Sequence, residues 1–241
     1  MIIYGKNAVR EAMLGGKTIN KLMVQNGQKD KQTLDILTLA RKNKVKIAYE
    51  TAQNLTKRVS TPKHQGVVAE ITDFVYSTPK DIIARAEERG ELPFVLVLDE
   101  IADPHNLGAI IRTAESIGVH GIILQKDRAC AVNDTVYKTS AGAIANMLIA
   151  RETNLSQVLE YLKHKGLWVF GLELGGQDIY RTNLKGPIAL VIGSEGNGIK
   201  QLVKKNCDEI ITLPMHGQVN SLNASVATGI ALYEIARQRT I

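Results

Sequence analysis

The 241-residue sequence holds only two cysteines, Cys130 and Cys207, and they do not form a CxxC pair. The common zinc and dithiol frameworks are excluded, and two reduced thiols in a reducing compartment are expected. No run of about 18 apolar residues occurs, so no membrane span is expected. The opening Met-Ile-Ile-Tyr-Gly-Lys-Asn lacks the charged, apolar and small-residue regions of a secretory signal, and a cytoplasmic location follows as the expectation. The histidines (His64, His105, His120, His164 and His216) show neither HxxxH nor HExxH, so no metal is expected. A GxSxG nucleophile elbow is missing, and the glycine-rich Gly193-Ser-Glu-Gly-Asn-Gly198 turn is neither a GxGxxG dinucleotide loop nor a GK[ST] phosphate loop, which removes the usual hydrolase and nucleotide-binding readings.

What remains is ordinary globular composition, 44% hydrophobic and 22% charged. Such a chain can bury a sizeable core without staples. The net charge of +6 is unevenly placed: residues 1–72 carry 13 Lys and Arg against 5 Asp and Glu, and residues 73–241 carry 17 against 19. A local surplus of that size suits a polyanion, most commonly nucleic acid, with a solvated charged face as the competing reading. Lys6, Arg10, Arg41 and Lys42 are candidate phosphate contacts. The Arg41-Lys-Asn-Lys-Val-Lys46 cluster has no interleaved aromatic that would suggest stacking on bases.

Two blocks are expected, 1–72 and 92–241, joined by a polar linker at 73–91 that carries Ser77-Thr-Pro79 and a charged, helix-like stretch. The first block reads as a small α/β module with strands at 21–24, 45–49 and 67–71 and a Lys-rich helix at about 31–43. In the second, Phe94-Val-Leu-Val-Leu98 reads as a buried strand. Asp103-Pro104 then supplies an N-cap and a first helical residue, and Gly118 a stop. Further strands are read at 121–124, 167–172, 188–192 and 209–213, with helices at 155–165 and 221–239. Unbroken apolar strands separated by helices imply a parallel sheet covered on both faces, a doubly wound α/β domain.

Ligands of such sheets bind at loops leaving the carboxyl ends of the strands. Three loops here are rich in small and polar residues. The first holds Asn106, Gly108 and Arg112, where capping by Asn106 and a solvated Arg112 are the plain alternative. The second is Gly193-Ser-Glu-Gly-Asn-Gly198, for which a tight turn is the alternative. The third crowds Asn220, Ser221, Asn223 and Ser225 at a helix start that needs one cap, so the surplus groups are expected to face a ligand.

In order and spacing, Asn106-x-Gly108-x-x-x-Arg112, Gly193-Ser-Glu-Gly-Asn-Gly198 and Asn220-Ser-Leu-Asn-x-Ser225 resemble the three signature motifs of the SpoU family of RNA ribose 2′-O-methyltransferases, TrmH-like members of the trefoil-knotted SPOUT class. The first block, with Ile3-Tyr-Gly-Lys-Asn-Ala-Val9 and His64-Gln-Gly-Val-Val68, resembles the substrate-binding domain often fused ahead of it, whose fold is like a small ribosomal protein. The layout is most similar to enzymes that methylate a guanosine in large-subunit ribosomal RNA. A transfer-RNA ribose methyltransferase and a non-catalytic RNA-binding assembly factor are the alternatives.

The resemblance implies a deep knot, S-adenosylmethionine as cofactor, RNA as substrate and a homodimer built on the knot and terminal helix. It implies cofactor contacts from Ile192, Gly193, Gly196, Leu213, Met215, Ser221, Leu222 and Asn223, with Thr139, Gly142, Gly171 and Leu172 as the remaining wall. Arg112 is the catalytic residue it implies. Because arginine stays protonated, we read it as a cation that holds a phosphate and stabilises charge on the 2′-oxygen, also touching RNA. Asn106 is expected to position Arg112 or the ribose, Glu195 to orient the loop or Arg112, and Ser221 and Asn223 to hold polar groups of cofactor and substrate.

Overall fold

The computed structural model describes residues 1–15, 17, 19–71, 74–218 and 221–239. The chain begins with β1 (Ile2–Tyr4), α1 (Lys6–Leu14), β2 (Ile19–Gln25), α2 (Lys31–Lys42), β3 (Lys46–Glu50), α3 (Ala52–Val59) and β4 (Val67–Ile71). It continues with α4 (Pro79–Arg89), β5 (Phe94–Leu98), α5 (Pro104–Ile117), β6 (Gly121–Gln125), α6 (Asp134–Thr139), β7 (Leu148–Glu152) and α7 (Leu155–His164). Last come β8 (Trp168–Asp178), β9 (Ile188–Ile192), α8 (Gln201–Lys204), β10 (Glu209–Thr212) and α9 (Ala224–Arg239). These elements form two compact units, Met1–Val75 with Val132–Asn146, and the remainder.

The first unit is built on a mixed sheet of order β1-β4-β2-β3, in which only β2 and β3 run parallel. Asp30 caps α2 by accepting from the Thr33 amide at 3.1 Å, and Ile36, Leu37 and Ala40 form the helix's buried face. On the sheet, Met23 and Val68 pack with Leu55 of α3. Sequence patterning alone gives no strand at β1 and no helix at α1. Nor does it assign residues 132–146 to this unit.

The expected 73–91 linker is largely structured. Thr78 and Asp81 form a capping box at the start of α4, and Ile82, Ile83 and Ala86 are buried. The expected boundary at Thr72 and Asp73 falls outside the described residues.

The second unit carries a six-stranded sheet of order β10-β8-β9-β5-β6-β7, parallel throughout. Its strands read as apolar runs because both faces are covered. Val95, Val97, Ile123, Val169 and Val191 pack with α4, α7 and α8 through Ile82, Leu159 and Val203. The alternate residues Leu96, Leu98, Ile122, Leu124 and Leu190 are buried as well. The α5 and α9 helices, which pack on one another, bury Ile110, Ile111, Leu232 and Ile235.

The ladder between β8 and β10 is interrupted once. Ile210 of β10 pairs with Gly171 and Ile211 with Gln177, so residues 172–176 of β8 are left out of the pairing and swing away from it. Only glycine fits where that segment returns, because a side chain on Gly176 would start 2.3 Å from the Ile210 carbonyl oxygen.

Candidate active site

The loops leaving β5, β8, β9 and β10 converge at the carboxyl end of the sheet. The loop after β9 closes on itself: Ser194 and Gly198 exchange backbone hydrogen bonds of 3.1 and 3.0 Å. Gly193 is obligatory there, since a Cβ would lie 2.1 Å from the Gly198 carbonyl carbon. The far end of the loop is tied to the end of β5. The Lys200 amide donates to Asp99 Oδ2 at 2.8 Å, and Lys200 Nζ lies 2.7 Å from Glu100 Oε1. Asp99 is 1% exposed, and its burial pushes the carboxyl above the usual carboxylate range.

Held this way, Glu195 meets the other two polar loops. Its Oε1 accepts from Asn106 Nδ2 at 2.6 Å, from Asn223 Nδ2 at 2.8 Å and from the Ala224 amide at 3.5 Å. Asn223 Nδ2 also donates to Asn106 Oδ1 at 3.0 Å, which closes a triangle of three side chains far apart in the chain. Asn106 is fixed by α5, whose cap is Asp103, accepting from the His105 amide at 2.9 Å. Asn223 Oδ1 in turn accepts from the Ser225 amide and hydroxyl at 2.9 and 2.6 Å. Asn223 is therefore the cap of α9, and Ser225 is engaged with it. The surplus polar groups expected to face a ligand are in these two cases spent on the helix start. Asn220 lies outside the described residues.

Beside this triangle opens a cavity of about 470 Å³. Of the residues expected at the cofactor, Leu172, Ile192, Gly193, Gly196, Leu213, Met215, Ser221 and Leu222 line it, together with Glu195. Other expected residues stand elsewhere. Gly171 is not among the lining and faces Ile210, Ile199 and Cys207. Thr139 and Gly142 belong to the first unit and are not among the lining residues either. Asn223 acts through the triangle rather than in the wall.

Arg112 lies exposed on α5, without a hydrogen-bond or ion-pair partner among the described residues, and it does not line the cavity. Asn106 and Glu195 are bonded to each other and to Asn223, so neither positions Arg112 in this structure.

Sequence reasoning misses Glu173, Leu174 and Thr212, which also line the cavity. The first two enter through the β8 bulge, and the adjacent glycines 175 and 176 inside a strand pattern are the available signal. Among the described residues no group of three His, Cys, Asp or Glu side chains could hold a metal ion.

In the first unit, Lys6 Nζ pairs with Asp30 at 2.8 Å and Arg10 with Glu11 at 2.9 Å. Arg41 and Lys42, at the end of α2, are exposed and unpaired among the described residues.

The solved structure of an AdoMet-bound rRNA methyltransferase from Sinorhizobium meliloti superposes with a TM-score of 0.83 at 26% identity, covering 98% of this chain and 86% of that one. The solved A. aeolicus TrmH/SpoU tRNA modifying enzyme superposes with a TM-score of 0.56 at 26% identity, over 66% of this chain and 84% of that one. A Bacillus subtilis (strain 168) protein named as a TrmH family tRNA/rRNA methyltransferase is 45% identical over 239 residues, 98% of this chain and 95% of its own length. Fold and site together define an α/β methyltransferase of the SPOUT class. Residues 93–233 match the SpoU rRNA methylase family, and residues 2–77 match the domain described as RNA 2′-O ribose methyltransferase substrate binding. The chain belongs to the SpoU rRNA methylase family.

Proposed function

We propose that the protein methylates a ribose 2′-hydroxyl of RNA with S-adenosylmethionine as donor, and that its target is a guanosine of large-subunit ribosomal RNA. The observation that carries this reading is the Asn106–Glu195–Asn223 triangle at the edge of the cavity, which joins all three motif loops at one place.

The residues present fit the donor. A cavity of about 470 Å³ is of the size that takes a small ligand, and its walls offer apolar surface from Leu172, Leu174, Ile192 and Met215 to an adenine ring. The 193–198 backbone, free of side-chain bulk at Gly193, Gly196 and Gly198, offers amide and carbonyl groups at close range. When bound, S-adenosylmethionine supplies an electrophilic methyl group on a sulfonium. The chain's own part is alignment, which contributes several kcal/mol in well-oriented reactions. Ser221 holds polar groups at the cavity mouth, and the triangle fixes the loops that frame it. Arg112, exposed and unpaired, holds a phosphate of the target and stabilises negative charge growing on the 2′-oxygen. The trefoil knot belongs to the same reading.

Ribosomal RNA is favoured over transfer RNA by the first unit. The rRNA methyltransferase from Sinorhizobium meliloti aligns with 98% of this chain, whereas the tRNA modifying enzyme aligns with 66%. The basic surplus of residues 1–72 supplies phosphate contacts that give affinity and register. A homodimer is favoured by α9, which leaves Val226, Ile230 and Tyr233 exposed on one face beside Tyr180, an apolar strip of the kind that a second copy covers. A cytoplasmic location completes the reading. Among the described residues no helix is long and apolar enough to cross a membrane.

The test is transfer of labelled methyl from S-adenosylmethionine to naked ribosomal RNA and transfer RNA in parallel, with the product nucleoside identified by mass. Ribose-methylated guanosine from the large-subunit RNA is expected. Transfer to transfer RNA alone replaces the target, and transfer to protein or to no RNA overturns the reading.

A further inference from the structure

Glu173 is a cavity-lining carboxylate that the three motif loops leave unused. The β8 bulge carries it out of the sheet and against the β9 loop, where a side chain on Gly198 would start 3.4 Å from its Cδ and Oε1. Its two oxygens differ. Oε1 lies 3.1 Å from Lys204 Nζ, while Oε2 is buried with no hydrogen-bond partner among the described residues. A buried carboxylate oxygen without a donor is costly, and a structure that keeps one commonly supplies the donor with its ligand.

We infer that Glu173 Oε2 accepts hydrogen bonds from the ribose hydroxyls of the adenosine moiety of the bound donor. The inference rests on the proposed use of S-adenosylmethionine and adds the group by which this chain selects a ribonucleoside. Three donors of that cofactor could suit a carboxylate, the neutral ribose hydroxyls, the neutral adenine amino group and the cationic α-ammonium. A diol-free analogue separates the first two, and the Lys204 ammonium excludes the third. It already neutralises Glu173 from 3.1 Å, and a second cation on the same carboxylate would face it at close range. A hydroxyl meets no such repulsion. The other carboxylate of the wall, Glu195, is committed to Asn106, Asn223 and the Ala224 amide.

The substitution Glu173→Gln is nearly isosteric and reverses the chemistry of the free position. Its amide oxygen stays with Lys204, which turns the NH₂ group toward the hydroxyls; a hydroxyl oxygen can accept from it, but as a neutral bond in place of the stronger charge-assisted one. The experiment is calorimetric titration of the wild type and E173Q with 5′-methylthioadenosine and with its 2′,3′-dideoxy analogue, neither of which carries an ammonium. Thermal melting of both proteins verifies the fold. In the wild type, loss of the diol is expected to weaken binding roughly 10- to 100-fold, the scale of hydrogen bonds to a charged group. In E173Q the loss on diol removal is expected to shrink to no more than about threefold, the charge-assisted bond being replaced by a weaker neutral one, so that the two losses are not additive. Equal loss of affinity on diol removal in both proteins overturns the assignment, as does a diol-insensitive wild type. E173Q that binds 5′-methylthioadenosine normally yet loses S-adenosylmethionine points to the ammonium and overturns it as well. A wild type that binds no adenosine derivative at all sinks the proposed cofactor itself, a distinct result.

Discussion

The side-chain nitrogen of Asn223 donates to Glu195 Oε1 at 2.8 Å while the oxygen of the same amide caps α9. One residue thus couples the start of the last helix to the β9 loop. Asn106 is 7% exposed and depends on the same carboxylate oxygen. In Glu195→Ala the Asn106 amide loses its acceptor, an uncompensated buried donor worth about 1–3 kcal/mol. Methyl transfer at saturating donor is expected to fall on the order of 10- to 100-fold, read as single-turnover rate. Glu195→Gln keeps an acceptor and should retain most of the rate. An E195A enzyme as fast as the wild type would remove the triangle from the mechanism.

Arg112 separates binding from chemistry. Because it does not line the cavity, Arg112→Ala should leave calorimetric affinity for S-adenosylmethionine within about twofold. The methylation rate should drop at least about 100-fold, the usual scale for losing a group that stabilises a developing oxyanion. Near-normal turnover would show that the cation has no part in the reaction.

The candidate phosphate contacts fall into two kinds. Arg41 and Lys42 are exposed and unpaired among the described residues, whereas Lys6 and Arg10 are engaged with Asp30 and Glu11. A paired cation must give up its partner before it can release a counterion from RNA. The double substitution Arg41→Ala with Lys42→Ala should weaken RNA binding and lower the slope of log affinity against log salt by about 0.7 to 0.9 per contact. Lys6→Ala with Arg10→Ala should lower it less. Filter binding across a salt series reads both, and a reversed order refutes the distinction.

His120 predicts how stability responds to acid. It is 2% exposed, its Nδ1 accepts from the Phe94 amide at 3.1 Å and its Nε2–H donates to Glu91 at 2.9 Å. Burial lowers its pKa below the ordinary 6.5, against an opposing pull from Glu91. Between that lowered value and 6.5 the unfolded chain binds the proton more readily than the folded one, so stability falls as pH drops through this window. His120→Asn keeps an acceptor near Nδ1 and does not titrate. Urea midpoints at pH 7.5 and 5.5 should therefore differ more in the wild type than in H120N. An equal acid loss in the two proteins would show that this histidine does not drive the effect.

Local chemistry makes much of the second unit legible. Asp103, Pro104 and Gly118 bound α5 as their types imply, and the all-apolar run at β5 is a strand buried at every position. The last helix, expected from Ser221, starts at Ala224, because Asn223 takes the cap and the two residues before it face the cavity instead. Glu173 escapes a reading of the sequence because its place depends on how β10 registers against β8, a long-range relation with no local signature beyond paired glycines. The meeting of Asn106, Glu195 and Asn223 is legible only through family likeness, since no periodicity relates residues so distant in the chain. Residues 132–146 fall in the second block by chain order yet cohere with the first unit, and that cohesion arises only in three dimensions.

Leu213, Met215, Ser221 and Leu222 line the cavity and follow every other wall residue in chain order except Ala224 and Ala227 of α9. A ribosome makes them after the parts of the pocket contributed by β8 and the β9 loop. A prematurely terminated product would therefore possess the basic first unit and most of the sheet yet be unable to enclose its donor. Enclosure of the donor thus waits on the segment that follows β10.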